Sequence, residues 1–115
     1  MSPGIVGVLG GTFDPIHRGH LDVARAAHDA LGLERILLMP AHVPPHRHRA
    51  PHASAYHRFA MTALAAQDAP YLVADDAELR VDGPSYTAHT LARLATTGYA
   101  PSQIVFITGV DAFAE

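Results

Sequence analysis

The sequence predicts an α/β fold with a doubly wound parallel sheet, because apolar runs of strand length alternate along the chain with segments of helical periodicity. The apolar runs lie at residues 5–9, 36–39, 71–74 and 104–107. The second run is apolar throughout, which is typical of a parallel strand buried on both faces. A length of 115 residues suits one domain. We therefore expect residues 1–115 to form a single α/β domain.

The first predicted helix covers about residues 19–31, after the first strand and a glycine turn. Its core-facing side is expected to contain Leu21, Ala24, Ala27 and Leu31. Gly32 stands where helices commonly end in a left-handed glycine. The second strand then stops at Pro40.

The later helices are predicted from serine caps and apolar spacing. Ser54 precedes a segment whose apolar residues have helical spacing: Tyr56, Phe59, Ala60, Ala63 and Leu64. Ser85 precedes a third helix, which carries Leu91 and Leu94 and ends at Gly98. Residues 40–53 are rich in proline and histidine, so we expect a loop there.

Residues 10–20, Gly-Gly-Thr-Phe-Asp-Pro-Ile-His-Arg-Gly-His, lie between the first strand and the first helix. A helix N-terminus attracts anions through unpaired N–H groups and its dipole, and glycines let the backbone approach a ligand. His17 and His20 are three residues apart, so their imidazoles can point to the same side. The stretch indicates a phosphate-binding site for a nucleotide. A dinucleotide-binding turn, whose G-x-G-x-x-G spacing is absent, and a plain structural turn are the alternatives.

Three unusual segments are expected to meet at one edge of the sheet. They follow the first, second and last strands, at residues 10–20, 40–53 and 108–111. In parallel sheets ligands bind beyond the carboxyl ends of the strands. We call this side of the sheet the carboxyl edge.

The composition excludes several classes of chemistry. All eight basic residues are arginine and there is no cysteine, which excludes Schiff-base lysines, P-loop lysines, disulfides and thiolates. A net charge of −3 predicts no nucleic-acid partner. No apolar run reaches the roughly 20 residues of a membrane helix, and we find no signal region at the start, so no membrane partner and a cytoplasmic location are expected.

A group of histidines in and after the proline-rich loop raises the question of a transition-metal site. Its members are His42, His46, His48, His52 and His57. Their spacing matches no compact metal motif, and the prolines restrict the loop. An exposed loop without a metal is the favoured interpretation.

Residues 11–20 resemble the motif of the nucleotidylyltransferase superfamily, with its H-x-G-H element intact at residues 17–20. Three further segments are similar to the nicotinate-nucleotide adenylyltransferase family: Pro-Ala-His-Val-Pro-Pro-His-Arg at 40–47, Gly-Pro-Ser-Tyr-Thr-Ala-His-Thr-Leu at 83–91, and Ile-Thr-Gly-Val-Asp-Ala at 107–112. Their order and spacing agree over essentially the whole chain. Pantetheine-phosphate and glycerol-phosphate nucleotidyltransferases are not expected to carry the second and third segments.

The resemblance implies a Rossmann-like nucleotidyltransferase fold and transfer of AMP from ATP to nicotinate mononucleotide, giving deamido-NAD and pyrophosphate in NAD biosynthesis. It implies Mg²⁺ held mainly by phosphate oxygens and water. ATP and nicotinate mononucleotide are the implied small-molecule partners, and a homo-oligomer stays open. The alternatives are a truncated nucleotide-binding module without catalysis and a pantetheine-phosphate-type nucleotidyltransferase.

The resemblance also implies roles for individual residues. The implied catalytic residues are His17, His20 and His46. The implied ATP-binding residues are Gly10, Gly11, Thr12, Phe13, His17, His20, Arg47, Gly109 and Asp111. The residues implied to bind nicotinate mononucleotide are Gly11, Thr12, Phe13, His46, Ser85, Tyr86 and Thr87. No protein ligand to a metal is implied.

The family continues beyond the position that corresponds to Glu115. The resemblance implies further strands, an aromatic segment that packs on the nicotinate ring, and a Ser/Thr-rich motif with an arginine near the ATP phosphates. We therefore expect the sequence to be the N-terminal portion of such a protein, ending after the fourth strand.

Overall fold

The computed structural model describes residues 4–13, 15–41, 54–80 and 87–107. Within these ranges the strands are β1 (Val6–Gly11), β2 (Arg35–Pro40), β3 (Leu72–Ala74) and β4 (Ile104–Ile107). The α-helices are α1 (Arg18–Leu31), α2 (Ala55–Ala65) and α3 (Thr87–Thr96). Short 3-10 helices occupy Ala66–Asp68, Ala77–Arg80 and Pro101–Gln103.

The four strands form one sheet in the order β3-β2-β1-β4, and all three pairings are parallel. The chain builds outwards from β1 to β3 and then returns to the other side of β1, so the strand order reverses between β1 and β4. In such sheets a crevice for ligands opens at the carboxyl edge where the order reverses. The predicted doubly wound parallel sheet is confirmed.

Helices cover both faces of the sheet. On one face Leu9, Ile36 and Leu38 pack with Ala24 of α1 and Met61 of α2. On the other face the buried cluster combines strand residues with one residue of α3: Val6, Val8, Leu37, Met39 and Leu94. Successive residues of β2 thus enter opposite cores, which explains why its sequence is apolar without interruption.

Local signals place the helix ends close to their predicted positions. Gly32 has a φ of 63°, and its N–H donates to the His28 carbonyl oxygen, which confirms the predicted C-cap of α1. Ser54 Oγ accepts the His57 N–H and caps α2. Gly98, with a φ of 102°, follows the end of α3. The predicted cap of α3, Ser85, lies outside the described residues.

β1 continues two residues farther than the sequence predicts. Gly10 pairs with Met39, and Gly11 pairs with Pro40. Pro40 is therefore the last residue of β2, opposite Gly11. Both glycines consequently lie in the sheet at its carboxyl edge.

The predicted second helix is confirmed as α2, but its apolar residues do not form the buried face. Tyr56 and Leu64 are 79% and 67% exposed, whereas Arg58 and Thr62 are 2% and 0% exposed. The two polar side chains are buried because both find carbonyl acceptors, Thr62 by donating to the Arg58 carbonyl oxygen at 2.8 Å. The helix is therefore oriented with Arg58 and Thr62 facing inwards, where hydrogen bonds compensate for the burial of their polar groups.

One predicted core position of α1 is also wrong. Leu31, in its last turn, is 52% exposed. Leu33 fills the core instead, directly after the turn at Gly32. The left-handed turn at Gly32 changes the direction of the chain, so that the side chain of Leu33, and not that of Leu31, enters the core.

Candidate active site at the carboxyl edge

Two histidines form a reciprocal cap at the start of α1. His17, whose backbone is extended, accepts the Gly19 N–H on Nδ1 at 3.0 Å. His20 accepts the His17 N–H on its own Nδ1, also at 3.0 Å. This arrangement satisfies backbone donors that a helix start otherwise leaves without intrahelical partners.

The cap fixes the orientation of both imidazoles. A neutral imidazole that accepts an N–H on Nδ1 carries its own proton on Nε2. Each ring therefore has a donating Nε2–H, and the two ring centroids lie 4.0 Å apart. Two ring donors at the positive end of a helix are suited to phosphate oxygens.

Gly19 is required by the cap. A Cβ at this position would lie 2.8 Å from His17 Cε1 and 3.0 Å from His17 Nδ1. The same ring atom Nδ1 accepts the Gly19 N–H. The spacing H-x-G-H thus has a steric reason: the glycine gives the first histidine room to fold back onto the helix.

Phe13 has an unusual backbone conformation just before the cap. Its φ is +52°, in the left-handed region that a non-glycine residue rarely adopts. Such a residue costs on the order of 1–3 kcal/mol and persists where its surroundings hold it. Its buried ring meets the ring of His20 edge to face at 4.9 Å. Phe13 therefore supports His20 from the core side.

The two glycines that end β1 differ in their surroundings. A Cβ on Gly11 would lie 3.1 Å from the Phe13 ring, which is tight. A Cβ on Gly10 would meet only the Met39 carbonyl oxygen, at 3.8 Å. Packing among the described residues thus favours glycine at position 11, whereas position 10 leaves space above the backbone at the carboxyl edge.

Thr12 contributes an orphaned polar atom to this loop. Its Oγ1 is buried, and no described residue offers it a hydrogen-bond partner. Leaving a buried hydroxyl unsatisfied costs about 1–3 kcal/mol. An unsatisfied polar atom at this edge marks a place where a bound molecule can supply the missing partner.

Arg58 also belongs to this region, although its sequence context does not predict it. Its Nη1 donates to the Thr12 carbonyl oxygen at 2.8 Å and to the Ala41 carbonyl oxygen at 2.7 Å. These two acceptors follow the last residues of β1 and β2. In the sequence, Arg58 is recognisable only as a residue one turn after the Ser54 cap. This position does not indicate that its side chain is buried.

Polar contacts also fix α3 against the segment that follows β3. Arg93 donates to Asp75 at 3.3 Å, and the Thr90 hydroxyl donates to the Glu78 carboxylate. The Asp75 N–H in turn donates to the Leu38 carbonyl oxygen of β2. These contacts anchor α3 to the segment that connects it with β3.

The structure brings together one part of the predicted site: Gly10, Gly11, Thr12, Phe13, His17 and His20. Other predicted site residues lie outside the described ranges: His46, Arg47, Ser85, Tyr86, Gly109 and Asp111. Thr87 is the first residue of α3, and only its backbone is described.

Within the described ranges, no three His, Cys, Asp or Glu side chains form a group that could hold a metal ion. Of the histidine cluster only His57 is described, and its Nδ1 lies 3.0 Å from Ser54 Oγ. No described helix combines the length and apolar character needed to cross a membrane.

A parallel sheet with a loop of glycines and histidines where its strand order reverses is typical of nucleotide-binding α/β proteins. The comparison with protein families is more specific. The chain belongs to the cytidylyltransferase-like family, whose model matches residues 8–115.

Curated relatives are similar over most of the chain. Proteins named probable nicotinate-nucleotide adenylyltransferase are 48% identical over 92% of it in Aeromonas hydrophila, 47% over 96% in Chromohalobacter salexigens and 43% over 98% in Moorella thermoacetica. The matches cover 49%, 50% and 52% of those proteins. The chain thus spans about half the length of the curated relatives it matches.

A solved structure shares the fold. It is the Plasmodium falciparum nicotinic acid mononucleotide adenylyltransferase complexed with NaAD, with a TM-score of 0.65 and 16% sequence identity. The similarity covers 90% of this chain and 51% of the other. Together with the family match, it confirms the predicted Rossmann-like fold.

Proposed function

We propose that the chain forms the N-terminal portion of an adenylyltransferase that moves AMP from ATP to nicotinate mononucleotide. The products are deamido-NAD and pyrophosphate. The observation that carries the proposal is the reciprocal cap of His17 and His20, which aims two ring donors from a helix start beside the point where the strand order reverses. The names of the curated relatives supply the choice of substrates.

The chemistry needs positioning and fixed positive charge, not a protein nucleophile. An oxygen of the mononucleotide phosphate attacks the α-phosphorus of ATP in line, and the bond from that phosphorus to the pyrophosphate oxygen breaks. Negative charge builds on the phosphate oxygens and the leaving group. In the proposal the Nε2–H groups of His17 and His20 donate to these oxygens, and the start of α1 adds its dipole.

The loop before α1 is proposed to approach the substrates with its backbone. Gly10 leaves room for close approach, and a substrate oxygen or N–H would supply the missing partner of Thr12 Oγ1. The donors of this site suit the anionic triphosphate better than a hard cation. Mg²⁺ would therefore be held mainly by phosphate oxygens and water, where it neutralises the triphosphate.

The remaining predicted residues complete the proposal on the strength of the family resemblance. His46 and Arg47 would close over the phosphates from the loop after β2. Ser85, Tyr86 and Thr87 would bind the mononucleotide at the start of α3, and Gly109 and Asp111 would contact the nucleotide ribose. The proposed location is the cytoplasm, and the proposed partners are the two small-molecule substrates.

The first test is pyrophosphate release from ATP and Mg²⁺ on protein whose intact mass has been verified. Nicotinate mononucleotide is compared with nicotinamide mononucleotide and with phosphopantetheine. Selective turnover with the nicotinate compound supports the proposal, whereas selective turnover with phosphopantetheine overturns it. ATP binding without turnover by the 115-residue chain would favour a nucleotide-binding module without catalysis.

A further inference from the structure

Arg58 joins the two segments that leave the carboxyl ends of β1 and β2. One nitrogen, Nη1, bridges the carbonyl oxygens of Thr12 and Ala41 at 2.8 and 2.7 Å. The Ala41 N–H also donates to the Gly11 carbonyl oxygen at 2.8 Å. The relative position of the two segments therefore depends on one buried side chain as well as on a backbone hydrogen bond.

The chemistry of the side chain suits such a bridge. A guanidinium is always charged and presents its donors in a rigid plane, so its hydrogen bonds to carbonyl oxygens are directional and charge-assisted. The backbone of Arg58 is itself held: its N–H donates to the Ser54 carbonyl oxygen, and its carbonyl oxygen accepts the Thr62 hydroxyl. The guanidinium is thus aimed from a fixed point on α2.

The contact with Thr12 lies next to the strained part of the site. Thr12 precedes Phe13, whose left-handed backbone persists only where its surroundings hold it. The Phe13 ring supports the ring of His20. A short chain of contacts therefore runs from Arg58 through the Thr12 carbonyl oxygen and Phe13 to His20.

We infer that Arg58 is a positioning residue for the transfer reaction. It holds the Thr12 carbonyl oxygen against β2 and so keeps the His20 ring in the orientation that the phosphates need. Its hydrogen bonds to Thr12 and Ala41 reach backbone oxygens, and we expect its effect on the reaction to pass through His20. The expected effect on the reaction rests on the proposed function. The expected effect on the position of the His20 ring does not, because it can be measured without substrate.

The test compares Arg58→Met and Arg58→Lys with Thr62→Val in the full chain. Thr62 is the matched control because it is buried on the same face of α2, one turn farther on, and contacts only the Arg58 backbone in the described hydrogen bonds. For each protein we measure kcat, the KM values for both substrates, the thermal midpoint, and the ring-nitrogen NMR signals of His17 and His20.

Arg58→Met is expected to lower kcat about 10- to 100-fold, because small misplacements of a positioned group have effects of this size. The KM for ATP should change much less, and the Nδ1 signal of His20 should shift as its cap weakens. Arg58→Lys keeps a cation with fewer aligned donors and should fall between the wild type and Arg58→Met. Thr62→Val should lower the thermal midpoint with kcat and the His20 signal unchanged.

The inference is overturned if kcat falls no further in Arg58→Met than in Thr62→Val once the decrease in thermal midpoint of each variant is taken into account. Should Arg58→Met not fold, the same comparison is made with Arg58→Lys. Should the wild type show no turnover, the proposed function fails on its own. The His20 signal then decides the inference: a shift in the Arg58 variants but not in Thr62→Val supports the coupling, and an unchanged signal refutes it.

Discussion

At the scale of the residue, His20 performs two separable tasks. Its Nδ1 accepts the His17 N–H, and its Nε2 carries the proton that is proposed to meet a phosphate oxygen. A glutamate at this third helical position can accept the same N–H, as in an ordinary capping box, but it offers no donor. The two tasks can therefore be tested independently with two substitutions.

We predict that His20→Ala and His20→Glu both lower turnover by a factor of about 10² or more, because each removes a donor to developing charge. Only His20→Ala should also lose helix stability, by about 0.5–2 kcal/mol, because it removes the cap. Steady-state pyrophosphate release and urea unfolding measure the two effects. His28→Ala, on the same helix but stacked on Tyr71 away from the site, is the control. Near-normal turnover of both His20 variants would contradict the proposed role.

Tyr71 gives the chain a pH dependence outside the candidate site. Burial, and then the nearby Asp29 carboxylate, raise the pKa of its phenol above the ordinary 10.0, with Arg25 acting in the opposite sense. The folded state therefore favours the neutral phenol. The resulting stabilisation is fully present below pH 10.0 and is lost as the pH rises through the folded-state pKa.

We predict that the free energy of unfolding of the wild type falls faster above pH 10.0 than that of Tyr71→Phe. Phenylalanine keeps a ring to stack on His28 but cannot ionise. Urea unfolding of both proteins on either side of that pH measures the difference. Parallel curves for the two proteins would show that the phenol does not contribute.

At the scale of the element, α2 shows where a periodic pattern misleads. Tyr56 and Leu64 fit the apolar spacing that predicts the helix, yet both are exposed, and the structure buries Arg58 and Thr62 instead. The decisive partner of Arg58 is the Thr12 carbonyl oxygen, 46 residues away in the sequence. No local pattern contains a contact across that separation, so the buried arginine could not be predicted from α2 alone.

The ends of the elements were more predictable because their causes are local. Gly32 adopts the left-handed conformation expected after a helix, and Ser54 accepts an N–H from the first turn of α2. Phe13 is the exception, since nothing in its type favours a φ of +52°. Its ring is buried in the core, and the carbonyl oxygen of its neighbour Thr12 accepts a hydrogen bond from Arg58.

We predict that Ser54→Ala lowers the free energy of unfolding by about 1 kcal/mol, because the His57 N–H loses its acceptor at the start of α2. Urea unfolding measures the change. Ser102→Ala, at an exposed serine of the 3-10 helix before β4, should stay within about 0.5 kcal/mol of the wild type. Equal effects of the two substitutions would contradict the assignment of Ser54 as a cap.

At the scale of the whole molecule, the alternation of strands and helices was enough to predict the parallel sheet, and handedness rules then restrict its topology. The alternation of strands and helices does not predict the order of the strands in the sheet. The return of the chain to the far side of β1 is seen in the pairing of β4 with β1, for example of Phe106 with Val8. This pairing places the reversal of strand order beside Gly10 and Gly11, and so determines which edge of the sheet can form a ligand crevice.

The topology therefore makes a prediction that is independent of any single side chain. In a titration of ¹⁵N-labelled protein with a non-hydrolysable ATP analogue and Mg²⁺, amide shifts should concentrate at the carboxyl edge, at Gly10, Gly11 and Ile107. The amino edge, where the Glu34 N–H donates to the Ile5 carbonyl oxygen, should not respond. The two edges belong to the same strands, so a general change in stability would affect both. Shifts centred on Ile5 and Glu34 would place the nucleotide at the wrong end of the sheet and would contradict the site.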